Sequence, residues 1–152
     1  MYSQFLVDDD AAIAEIARGA KRVAVLGAKG EDEPSDMAFV VPEWLARNGV
    51  EVLPVPLGAD APAELYGVPA FPRLADVPGP VDVVQVFVRS KEVPRYVGEL
   101  LALRPRCVWM QKGIRNDVAA ETLARAGIRV VQERCLREER GKALSSARSS
   151  SP

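Results

Sequence analysis

Five short runs rich in β-branched residues punctuate the chain, and polar stretches with helical periodicity lie between most of them. An amphipathic stretch comes first: Ala12, Ile13, Ile16 and Ala17 share one face of a helix over residues 8–18. Its Asp-rich start suits the positive end of a helix dipole, and Gly19 serves as a stop. "VAVLG" at residues 23–27 shows no polar alternation, which predicts a parallel strand covered on both faces. Met37, Val40, Val41, Trp44 and Leu45 predict a helix up to Gly49, with Pro42 either opening its regular part or kinking it, and hence an irregular first turn. "EVLPVP" at 51–56 reads as the second strand, and the Pro-rich stretch from Leu65 has room for one short strand. "VDVVQVFV" at 81–88 is the third clear strand, followed by Ser90 as N-cap of a helix bearing Val93, Val97, Leu100 and Leu101. "CVWMQ" at 107–111 leads to a helix capped by Asn116 and ended by Gly127, and "IRVVQ" at 128–132 is the last strand.

Strands alternating with helices imply right-handed crossovers and helices on both faces of the sheet. The expected fold is a doubly wound, mostly parallel α/β single domain over residues 1–136. Residues 137–152 are charged and then Ser-rich, with too little apolar content to offset the entropy of ordering, so a mobile tail is expected there.

Composition narrows the function. The chain has 152 residues, 48% hydrophobic and 27% charged, which fits one soluble core. Its 20 basic residues against 21 acidic ones leave no electrostatic footprint for nucleic acid or an anionic membrane. No run approaches the roughly 18 apolar residues of a membrane span. The acidic start, "MYSQFLVDDD", is unlike a signal peptide, so a cytoplasmic location is expected. Cys107 and Cys135 supply neither a disulfide framework nor a zinc cage, and read as packing residues. The chain contains no histidine, which excludes Ser-His-Asp and Cys-His nucleophiles, a phosphohistidine relay and the usual zinc or non-haem iron sites.

In an open α/β sheet a ligand sits beyond the carboxyl ends of the strands, where strand order reverses. That rule selects "GAKG" at 27–30, whose small residues let phosphates approach backbone amides, and "FVRSKE" at 87–92, with Phe87, Arg89, Ser90 and Lys91. "QKGI" at 111–114 is a third contributor. The full G-x-G-x-x-G fingerprint is absent, so these loops read equally as a ligand site or as turn glycines beside a solvated helix start.

Taken in order and spacing, "VAVLGA", "EVLPV", "DVPGPVDVVQVFVRS", "VWMQKGI" and "AGIRVVQERC" resemble the small stand-alone bacterial CoA-binding proteins. These are single Rossmann domains similar to the CoA-binding domain of succinyl-CoA synthetase and of ADP-forming acyl-CoA synthetases. The resemblance runs over residues 13–138 and implies non-catalytic binding of CoA or an acyl-CoA. It places the diphosphate on Gly27, Ala28 and Lys29, and the adenosine near Pro54, Val55 and Pro56. Phe87, Arg89 and Ser90 lie on the other side, with Gln111 and Gly113 nearby, and Pro34 and Ser35 belong to the same implied site.

The chain departs from that pattern in ways that bear on binding. Lys29 replaces the serine of the family's Gly-Ala-Ser. Glu33 stands before Pro34 where an arginine is usual, and Asp36 follows Ser35. The family's Pro-Val-Asn-Pro loses its asparagine at Pro56, and Val88 replaces the first arginine of its Arg-Arg-Ser. A carboxylate about 6 Å from a phosphate charge costs about 0.7 kcal/mol in water and about 3 kcal/mol at an effective dielectric of 20. Two alternatives therefore stay open. One is a degenerate nucleotide-binding domain acting through protein partners, a homodimer included. The other is an NAD-type enzyme, for which Asp60 in "VPLGAD" lies too far out to match the expected ribose ligand.

Overall fold

The computed structural model describes residues 1–149. Its strands are β1 (Arg22–Leu26), β2 (Glu51–Val55), the short β3 (Glu64–Leu65) and β4 (Val68–Pro69), β5 (Val83–Val86), β6 (Cys107–Met110) and β7 (Arg129–Val131). Its helices are α1 (Asp10–Gly19), α2 (Met37–Arg47), α3 (Val97–Leu103), α4 (Asp117–Arg125) and α5 (Leu136–Ser149). Five strands form one parallel sheet in the order β2-β1-β5-β6-β7, while β3 and β4 pair as a separate antiparallel hairpin. The strand order reverses between β1 and β5, and the loops leaving their C-terminal ends bound the place where the ligand crevice of an open α/β sheet is expected.

The apolar runs lack polar alternation because both faces of the sheet are covered. Ala24, Leu26, Val84, Val86, Val108 and Met110 pack with Leu100 of α3 and Leu123 of α4. Val23, Val25, Val83, Trp109 and Val131 pack on the opposite face with Ile13 of α1, Val41 and Leu45 of α2, and Leu136 of α5. Both edges of the sheet are occupied, which blunts edge-to-edge pairing. The Val130 carbonyl accepts from Val7 N at 2.9 Å on one side, and the Pro54 carbonyl accepts from Phe71 N at 2.8 Å on the other. Among the described residues no helix is long and apolar enough to cross a membrane.

Four local features differ from the sequence expectation. Asp36 caps α2 through Ala38 N at 2.8 Å, so the regular helix starts before Pro42 and contains it. Ser90 is not a helix cap: residues Ser90–Tyr96 form a 3-10 helix, and the Ser90 hydroxyl instead accepts from Arg115 N at 3.0 Å. The Ser90 carbonyl also accepts from Asn116 Nδ2 at 3.0 Å, which ties this segment to the start of α4. The Pro-rich stretch holds two short strands rather than one.

The fourth difference is the C-terminal segment. Composition predicted a mobile tail from residue 137, but the chain is helical to Ser149. Leu136, Glu139, Arg140 and Ala143 form an inward stripe at helical spacing, and two of these positions are charged, which masked the pattern. Arg140 Nη1 donates to the carbonyls of Ala17, Arg18 and Ala20 at 2.8, 3.1 and 2.9 Å, satisfying the exposed end of α1. Glu139, 8% exposed, pairs with Arg134 at 3.5 Å and Lys142 at 3.3 Å. The last three residues of the expected tail lie outside the described residues.

Candidate functional site

The turn after β1 forms one wall of the crevice, and contacts from three directions hold it. Gly27 N donates to the Val55 carbonyl at 2.9 Å, and Phe87 N donates to the Leu26 carbonyl at 2.9 Å. Gly27 sits at φ +88°, and a Cβ there would lie 3.1 Å from the Phe87 carbonyl oxygen. Only glycine meets both demands, so Gly27 joins the two walls. Lys29 N donates to the Ala38 carbonyl at 3.0 Å, an acceptor left open because Pro42 lacks the N–H that would close that helical turn. The N–H groups of Ala28 and Gly30 have no acceptor among the described residues.

The acidic residues of this turn have distinct surroundings. Asp36 is committed to capping α2. Glu33 pairs with Lys29 at 3.4 Å, both side chains 45% exposed. Glu31 and Asp32 line a cavity of about 360 Å³ with Phe39, Glu43, Glu64 and Tyr66. Pro34 and Ser35 are exposed within the turn. Tyr66 had no place in the sequence reading, yet its hydroxyl donates to the Lys29 carbonyl at 2.5 Å. Desolvation lifts its phenol well above the usual tyrosine range. Only its place before Gly67 hinted at a turn, and nothing local pointed to Lys29.

The second wall is the loop after β5. Arg89 and Lys91 are exposed and pair with no carboxylate among the described residues. Neighbouring cations are committed: Lys112 pairs with Glu138 at 3.4 Å, and Arg115 with Asp117 at 3.0 Å and Glu133 at 3.4 Å. Phe87 and Ser90 are half-buried. Gln111 is 5% exposed, and its Oε1 accepts from Gln85 Nε2 at 3.1 Å, which leaves Gln85 Oε1 buried without a partner. Exposed Gly113 turns the backbone at φ +87°. Pro54, Val55 and Pro56 are buried, and Val55 acts on the crevice through its carbonyl.

The two cysteines are buried, and desolvation pushes the Cys107 thiol up to about 12, away from nucleophilic chemistry. Trp109 is fully buried with Nε1 donating to the Arg134 carbonyl at 2.8 Å, as a core residue should. A larger cavity, about 620 Å³, lies beside β7 and is lined by Arg115, Asp117, Glu121, Glu133 and Arg134 among others. Its arginines are already ion-paired, so it leaves no free cation for an anionic ligand.

A parallel sheet with helices on both faces and a glycine turn at its reversal point defines a Rossmann-like α/β domain. Residues 21–140 match the family model described as a CoA binding domain, and the chain belongs to that family. It is similar to the uncharacterized protein YneT of Bacillus subtilis (strain 168), with 33% identity over 127 residues, covering 84% of this chain and 90% of that one. Among solved structures it resembles the cell-free ID.343 protein from Thermus thermophilus, with 38% identity, TM-score 0.81, and coverage of 90% of this chain and 99% of that one. A hypothetical protein from Pyrococcus horikoshii OT3 shares 28% identity with TM-score 0.79, covering 90% of this chain and 93% of its own.

Proposed function

We propose that this protein binds CoA or an acyl-CoA in the crevice between β1 and β5 and performs no chemistry on it. The observation that carries this reading is the pairing of unlike donors across the Gly27 and Phe87 contact. The Ala28 and Gly30 amides stand unengaged on one side, and Arg89 and Lys91 stand without acidic partners on the other. That donor set suits a diphosphate and a further phosphate, because charge-assisted hydrogen bonds are the strong ones. The binding-only role rests on the missing histidine and on the burial of both thiols.

Isothermal titration with CoA, dephospho-CoA and NAD at fixed moderate salt tests the reading. Micromolar binding of CoA, weaker for dephospho-CoA and reduced by Arg89→Ala, is the expected result. No heat at millimolar CoA would overturn it. A second reading, a domain that has lost its cofactor and acts through a protein partner, draws on Asp36 capping α2 and Glu33 neutralising Lys29. A stable complex or homodimer by light scattering, without nucleotide binding, would favour it.

A further inference from the structure

The hairpin of β3 and β4 turns through Tyr66 at φ +54° and Gly67 at φ +77°. Two residues with positive φ suit a tight hairpin, but the first position favours Asn, Asp or Gly, and a tyrosine there is strained. Its side chain is engaged at both ends of its reach. The ring lies 6.2 Å from that of Phe39, and the hydroxyl sits 2.5 Å from the Lys29 carbonyl and 3.2 Å from the Ala38 carbonyl.

A trans peptide is planar, with its C=O and N–H pointing in opposite directions. The carbonyl of Lys29 and the N–H of Gly30 belong to one such plane. A phenol that holds the carbonyl on the hairpin side therefore turns the Gly30 N–H the other way. The preceding plane is fixed independently, since Lys29 N donates to the Ala38 carbonyl. Gly30 has no Cβ to resist a flip of the plane, so backbone sterics alone do not choose between its two orientations. The hairpin also packs on the same residue, with Leu65 Cδ2 3.1 Å from where a Gly30 Cβ would be.

We propose that Tyr66 is a positioning residue whose hydroxyl sets the Lys29–Gly30 peptide so that the Gly30 amide is presented to an anionic group of the ligand. This rests on the CoA reading for the ligand's identity, but not for the orientation of the peptide. Burial keeps the phenol protonated across the physiological range, so it stays a donor.

Tyr66→Phe removes the donor and keeps the ring. Tyr66→Asn suits the left-handed turn but does not reach Lys29, and guards against a folding defect particular to the first variant. The amide NMR signal of Gly30 is followed in the ligand-free protein, and each protein is then titrated with CoA, dephospho-CoA and inorganic pyrophosphate. In both variants the Gly30 signal should shift and exchange faster while the rest of the spectrum holds. Affinity for all three ligands should fall by a common factor, about fivefold for the loss of one hydrogen bond's worth of orientation. An unchanged Gly30 signal, unchanged affinities, or a loss confined to CoA would overturn the proposal. Should the wild type bind pyrophosphate but not CoA, with the common loss retained, the CoA reading fails and the Tyr66 role stands. Failure of every anion to perturb the Gly30 signal of the wild type would sink both.

Discussion

On one wall of the crevice Pro42 leaves the Ala38 carbonyl to Lys29, and on the other the Ser90 carbonyl accepts from Asn116 Nδ2. Each wall is anchored by a backbone carbonyl, and on the first wall that carbonyl is open because Pro42 withholds the N–H four residues downstream. The walls then diverge in charge. The turn after β1 carries Glu31, Asp32, Glu33 and Asp36, whereas the loop after β5 carries the unpaired Arg89 and Lys91. Half of the acidic groups are nonetheless engaged within the fold. Asp36 serves its helix and Glu33 its lysine, while the arginine and lysine opposite serve no internal need.

The largest expected effect comes from forcing the walls apart. Gly27→Val places a branched side chain at φ +88° against the Phe87 backbone, and urea unfolding should show a loss of about 3 kcal/mol or more, with ligand binding abolished. Removing the cations tests the basic wall. Arg89→Ala and Lys91→Ala should each weaken CoA about tenfold by calorimetry, with a flatter dependence on salt, and a fold that melts as the wild type does. If neither matters, the asymmetry between the walls has no bearing on binding.

Two substitutions then separate structure from charge on the acidic wall. Asp36→Ala should cost about 1 kcal/mol of stability through the lost cap, while Asp36→Asn keeps the cap and removes the charge. Equal unfolding midpoints for the two would show that the cap contributes nothing. The smallest effect belongs to Glu33→Gln, which frees Lys29. Stability should change by less than about 0.5 kcal/mol, as for most exposed pairs, and CoA should bind about threefold tighter. No gain, or a loss, would mean that the Glu33 field does not reach the ligand.

Much of this architecture was legible in the chain. Runs such as "VAVLG" and "CVWMQ" lie where strands form, because a segment buried on both faces needs no polar positions. Asn116 caps α4 through Ala119 N at 2.9 Å as its spacing implied, since capping is decided within a few residues. The reversal point, and with it the Gly27 and Phe87 loops, followed from the alternation of elements. The α5 stripe was less legible because an arginine and a glutamate occupy two of its inward positions, and a polar residue declares neither its burial nor its partner.

The alternation of strands and helices, the glycine at the joint of the crevice and the sign of charge on each wall can all be read along the chain. These depend on periodicity, backbone conformation and residue type, all of which are local. Which polar groups are engaged depends on contacts distant in the chain: Arg140 on the carbonyls of α1, Tyr66 on Lys29 and Ser90 on Arg115. A hydrogen bond across 25 to 123 residues of chain is selected by the packing of whole elements, and no window of sequence contains both of its ends.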